Sequence, residues 1–157
     1  KTRCFGEPAM DRLQSNLQSL TRGSIVIVMA GVNDTIQPHL PDGFSPCFEP
    51  AEWSAERMTS RLQPLLVMRG ERRILVATIP PFGASEFHSA KPEAIRQDFN
   101  RWLRANWPKD YVIDLAMVLA DSRDPTRLRR DYDSGDGLHP NEKGAAAIAA
   151  AVTEMLR

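Results

Sequence analysis

Asp136 and His139 lie three residues apart in Asp133-Ser134-Gly135-Asp136-Gly137-Leu138-His139-Pro140-Asn141, a Gly-rich stretch that runs into an Ala-rich segment. At that spacing a carboxylate and an imidazole can share one side of a single turn. The carboxylate then fixes the tautomer and orientation of the ring, which is what a general base beside a hydroxyl nucleophile requires. A structural role fits the same residues, with Asp136 merely capping the following helix. Asn33 is the second candidate. It stands in Gly31-Val32-Asn33-Asp34, directly after an apolar run. An amide at a strand's carboxyl end can aim its N–H at a developing oxyanion; equally, Asn-Asp can start a turn through local hydrogen bonds. His39 and His88 each stand alone in a polar loop. A rival chemistry reads Asp131, Asp133, Asp136 and His139 as ligands of a hard cation, although their spacing departs from the calcium-loop pattern.

Positioning such groups takes a scaffold, and the apolar pattern outlines one. Met10, Leu13, Leu17 and Leu20 mark one face of a helix over Pro8 to Leu20. Ser24 to Ala30 is apolar without alternation and rich in β-branched residues, the pattern of a strand buried on both faces. A second helix is predicted over residues 54–69, with Pro64 expected to kink or split it. Arg73 to Ile79 gives a second buried strand, stopped by Pro80-Pro81. Residues 92–106 give a third helix, Tyr111 to Leu115 a third short strand, and residues 141–156 the last helix. This alternation predicts a three-layer α/β/α sandwich around a parallel sheet. In such sheets ligands bind beyond the carboxyl ends of the strands. Both candidate stretches fall there, as does a long Pro-rich loop, Thr35 to Trp53, whose Phe44, Phe48 and Trp53 either form an apolar rim or anchor the loop.

The 157 residues suit a single domain over 1–157, with 42% apolar and 25% charged residues. Twenty basic side chains balance twenty acidic ones, so neither nucleic acid nor an anionic membrane is expected as partner. The longest apolar run, Ile25 to Ala30, is far too short to span a bilayer. Cys4 and Cys47 can pair or remain free; the Pro-rich setting of Cys47 tilts the expectation towards an oxidising compartment, secreted or periplasmic. The chain opens on Lys1 rather than Met, as a processed product or a fragment would.

Gly31-Val32-Asn33-Asp34 and Asp136-Gly137-Leu138-His139-Pro140 resemble the third and fifth sequence blocks of the SGNH (GDSL-type) hydrolase superfamily, in its lysophospholipase/esterase-like branch. Ala77-Thr78-Ile79-Pro80-Pro81-Phe82-Gly83 between them and Tyr132-Asp133-Ser134-Gly135-Asp136 also fit. The resemblance implies a flavodoxin-like sheet of five strands and hydrolysis of carboxylic, acetyl-sugar or lysolipid esters without metal or other cofactor. It makes His139 the base, Asp136 its orienting partner and Asn33 an oxyanion donor.

One block does not fit. The family's nucleophile is a Ser in a Gly-Asp-Ser motif well upstream of Gly-x-Asn-Asp, and the 30 residues before Gly31 hold no such motif. Ser15, Ser19 and Ser24 fall on a helix or at a strand start. The second block, whose Gly donates a backbone N–H, is also missing. The first two strands are therefore expected to be absent from this chain. The nucleophilic Ser then lies on a missing or separate N-terminal segment, which would be the chain's partner. A relative without its Ser, binding ligand but not hydrolysing it, is the alternative.

Overall fold

The computed structural model describes residues 9–19, 21–40, 53–68 and 72–157. In chain order they form α1 (Ala9–Gln18), β1 (Ile25–Val28), α2 (Val32–Ile36), α3 (Ala55–Met68), β2 (Arg73–Ala77), α4 (Ala90–Asn106), β3 (Val112–Ile113), α5 (Leu115–Val118) and α6 (Glu142–Leu156). The strands pair in parallel in the order β1-β2-β3, with Val28 opposite Val76 and Ala77 opposite Ile113. One face of the sheet (Val28, Ile74, Val76) packs on Met10 and Leu17 of α1, Met58, Leu62 and Leu65 of α3, and Phe99 and Leu103 of α4. On the other face, Leu75, Ala77 and Ile113 meet Ala147, Ile148, Ala151 and Val152 of α6. The Ala-rich face of α6 lets that helix sit close to the sheet. The architecture is the expected α/β sandwich, and the described residues carry three strands of the five that the resemblance implies.

Several local expectations need correction. β1 is not buried on both faces: Val28 is 4% exposed, but Ile25, Ile27 and Met29 on the opposite face are 54%, 39% and 49% exposed. The reason is coverage, because α6 lies over β2 and β3 and no described element lies over β1 on that side. An apolar run reports that a strand prefers burial, not that a neighbour is there to supply it. Pro64 does not split α3, which is continuous from Ala55 to Met68. The proline is exposed, so the bond it forgoes to the Ser60 carbonyl lies on the solvent side. The third strand shrinks to Val112–Ile113, because Tyr111 belongs to a 3₁₀ turn and Asp114 caps α5 by accepting the Met117 N–H.

The long loop is shorter than expected at its start, since Thr35 and Ile36 complete α2 and Gln37–His39 form a 3₁₀ turn. Trp53 is buried with the Arg57 guanidinium 4.8 Å over its ring, so it anchors rather than lines a rim. Phe44, Phe48, Cys4 and Cys47 lie outside the described residues. No helix among the described residues is long and apolar enough to cross a membrane.

Candidate active site

The turn between Asp133 and Asn141 is held closed by its own residues. Ser134 N–H donates to the His139 carbonyl (2.9 Å), and Asp133 and Pro140 form an antiparallel bridge. One oxygen of Asp133 accepts the N–H groups of Gly135 (2.9 Å) and Gly137 (3.0 Å). Asn141 fastens the exit. Its Oδ1 caps α6 through the N–H groups of Lys143 and Gly144, while its Nδ2 donates to the Asp131 and Asp133 carbonyls, both at 3.0 Å. Asn141→Ala should therefore lower stability by about 1–2 kcal/mol and free the turn as well. Thermal unfolding followed by circular dichroism measures the first effect; a shift of the His139 backbone amide in NMR spectra reports the second.

Within this frame Asp136 faces His139. Asp136 Oδ2 lies 2.6 Å from His139 Nδ1, and Asp136 Oδ1 accepts the backbone N–H of His139 (2.8 Å) and Leu138 (2.9 Å). Ser134 Oγ adds a contact to the same oxygen at 3.2 Å. The His139 side-chain bond, followed by these N–H groups, holds the Asp136 carboxyl well below the usual carboxylate range. The ionised form of Asp136 is thus favoured. With Nδ1 engaged, Nε2 of the ring, whose side chain is 71% exposed, is left to face a reactant.

Asn33 sits on the first turn of α2. Gly31 before it has φ +114, and a Cβ there would come within 2.9 Å of Ile79 Cδ1, so the turn needs glycine on both counts. Asn33 is exposed, and its amide has no hydrogen-bond partner among the described residues. Asp34 points the other way. It is buried, accepts the Met10 N–H at 3.2 Å, and is pushed up in pKa by its burial.

The two halves meet. Asn33 and His139 line one cavity of about 240 Å³ at the carboxyl ends of β1 and β2, with Met29, Pro80, Leu138 and Ile148 among its walls. Asp136 stands behind the imidazole. Among the described residues, the one hydroxyl lining this cavity is Thr78. It is already committed, donating to Asp114 (3.0 Å) and accepting the Ala116 N–H (2.8 Å). Ser15 and Ser19 bond to carbonyls of α1, and Ser24 pairs with Thr21. Neither His39 nor His88 lines the cavity; His39 is half-buried with its pKa lowered by desolvation, and His88 packs edge-on to Phe82.

The rival cation site does not assemble. Asp131 pairs with Arg129 at 3.1 Å, Asp133 serves two backbone N–H groups, and Asp136 is engaged by His139. A wider depression of about 1060 Å³ lies beside Arg101, Arg104 and Asp114. Its arginines are already paired, Arg101 with Asp98 and Arg104 with Asp114.

The sequence alone did not single out two supports of the turn. Asn141 carried a signal, an Asn directly before the helical run. Asp133 carried one as well, an Asp two residues before a glycine, where its side chain can accept local backbone N–H groups.

The family of GDSL-like lipases/acylhydrolases has a model that matches residues 3–147. A curated relative, the uncharacterized esterase YxiM of Bacillus subtilis (strain 168), is 27% identical over 155 residues. That match takes in 93% of this chain but only 37% of the relative's length. Among solved structures, a Bacteroides fragilis NCTC 9343 protein assigned as an acylhydrolase superposes with a TM-score of 0.61 at 16% identity, covering 94% of this chain and 69% of that one. A GDSL-like lipase from Bacteroides thetaiotaomicron VPI-5482 gives 0.58 at 15% identity, with 92% and 67% covered. At these identities the structures establish the fold alone.

Proposed function

The chain belongs to the GDSL-like lipase/acylhydrolase family, and from that premise we propose that it carries the base, the orienting acid and one oxyanion donor of an ester hydrolase. The carrying observation is that His139, fixed by Asp136 at 2.6 Å, opens into the same cavity as the free amide of Asn33. A serine hydroxyl from a segment outside this sequence supplies the nucleophile. The face and edge of β1 that no described residue covers, which end at the cavity wall through Met29, are where a strand bearing that serine would dock.

In the complete enzyme, His139 Nε2 takes the proton from the serine Oγ as that oxygen attacks the ester carbonyl carbon. The carbonyl oxygen becomes an oxyanion and is held by the Asn33 amide together with backbone N–H groups. Collapse of the tetrahedral intermediate breaks the bond to the alcohol, which leaves with the proton from His139. Water then repeats the sequence on the acyl-serine, releasing the acid. Asp136 stabilises the imidazolium at each stage and remains a carboxylate.

Asn33→Ala in the complete enzyme should lower kcat for p-nitrophenyl acetate by about 10²–10³-fold, leaving a residual rate. Wild-type kcat in that variant would remove Asn33 from the mechanism. The lack of any serine lining the cavity among the described residues favours a second reading, a ligand-binding relative without hydrolytic activity. Absence of p-nitrophenyl acetate hydrolysis by the complete wild-type protein would select it.

A further inference from the structure

The two halves of the proposed site come from segments about a hundred residues apart, Asn33 and His139, yet both lean on the short run that leaves β2. Thr78 makes the last ladder bond of that strand, its N–H donating to the Ile113 carbonyl at 3.0 Å. Ile79 comes next and has no strand partner among the described residues. The side-chain amide of Asn100 in α4 takes that place: Oδ1 accepts the Ile79 N–H and Nδ2 donates to the Ile79 carbonyl, both at 2.8 Å. Asn100 is 2% exposed. The neighbouring Arg96 is locked by Glu93 at 2.6 and 2.8 Å and reaches the same carbonyl at 3.5 Å.

From Ile79 the brace runs two ways. Its Cδ1 lies where a Cβ on Gly31 would meet it at 2.9 Å, so it sets the position of the Gly31 backbone. The Gly31 carbonyl in turn accepts from Thr35 N–H (2.8 Å) and Thr35 Oγ1 (2.7 Å), which closes the turn that carries Asn33. In the other direction Pro80-Pro81 passes on the direction with little freedom. Gly83 N–H then bonds the Thr126 carbonyl (2.7 Å) and Ser85 N–H the Phe82 carbonyl (3.0 Å). The Ala84–Ser85 peptide formed there lies against Gly137, so close that a Cβ would stand 2.3 Å from the Ala84 carbonyl carbon. Gly137 is two residues from His139.

We propose that Asn100 is a positioning residue: by clamping Ile79 it sets Asn33 and His139 at their working separation. The assignment rests on the acyl-transfer reading above. An oxyanion donor and a base are useful only together, and misplacement of a reacting group by about 1 Å can lower a rate by about 10²-fold. The amide of Asn100 meets both backbone groups of Ile79 at once, which an apolar residue packed at that point would not do.

The test is kinetic, in the complete enzyme with p-nitrophenyl acetate. Asn100→Ala should lower kcat by about 10-fold or more with KM changed less than about twofold, at a temperature where circular dichroism shows the fold intact. In an Asn33→Ala background the same substitution should have a smaller effect, because part of its action is routed through Asn33. Ile79→Val removes the methyl that touches Gly31 and is mild enough to fold. It should lower kcat severalfold in the wild type and leave the Asn33→Ala enzyme unchanged, so it decides the matter if Asn100→Ala does not fold. Wild-type kcat in folded Asn100→Ala or in Ile79→Val, or equal effects in both backgrounds, would overturn the proposal. If His139→Ala is fully active the acyl-transfer reading itself has failed; if His139→Ala is inactive while these variants are normal, only the positioning role has.

Discussion

His139→Ala in the complete enzyme is expected to lower kcat for p-nitrophenyl acetate by about 10⁴-fold, with little change in KM. The expectation follows from the division of labour in the turn. Asp136 spends one oxygen on Nδ1 and the other on backbone N–H groups, so Nε2 alone is left to move the proton. Asp136→Asn should produce a loss of similar size, because an amide can hold the ring in the wrong tautomer. The pH dependence bears on the state of Asp136. With its pKa depressed by the His139 bond, Asp136 contributes its interaction above the ordinary carboxylate range and loses it only as pH falls through the lowered value. Protonation of Asp136 therefore does not limit kcat/KM until the pH falls below the ordinary carboxylate range. A steady-state pH profile with a single acid limb checks this.

Gly137→Ala should be the most damaging substitution outside the catalytic groups. The new methyl would stand 2.3 Å from the Ala84 carbonyl carbon and 2.5 Å from the Ser85 nitrogen, both backbone atoms that cannot rotate away. Its φ of +71 adds strain of about 1–2 kcal/mol for a residue with a Cβ. Together with overpacking of about 1–3 kcal/mol, the loss should lower Tm by roughly 10 °C. Activity should fall further than stability explains, because the turn that moves is the one carrying His139. Gly135 has φ +110 but no atom within 4 Å of its missing Cβ, so Gly135→Ala carries only the backbone strain. A smaller Tm shift for Gly135→Ala than for Gly137→Ala, measured by calorimetry, is the expected order.

What the sequence revealed of the site follows from how local each feature is. Asp136 and His139 interact across three residues, so their contact was within reach of a local reading that still left cap and base open, and Asn33 was singled out just past an apolar strand, where a plain turn fitted equally. The layer order came from alternating periodicities. Several of the misses share a cause: each depended on a distant neighbour. An apolar run could not disclose that nothing described covers Ile25, Ile27 and Met29. Pro64 looked disruptive because its exposure was unknown. Asn100 sits among Arg96, Gln97 and Arg101 in a helix that reads as having a solvated polar side, and only the path of Ile79 reveals that its amide is buried and paired. The bond between Asp34 and the start of α1 is likewise a contact across 24 residues.

The central claim is that Asp136, His139 and Asn33 serve a serine supplied from outside these 157 residues. Reaction of the complete enzyme with a fluorophosphonate, followed by peptide mapping by mass spectrometry, tests it most directly. One adduct is expected, on a serine outside the 157-residue chain, formed rapidly in the wild type and not in His139→Ala. An adduct on a serine within the 157-residue chain, or labelling that is equally fast in His139→Ala, would contradict it.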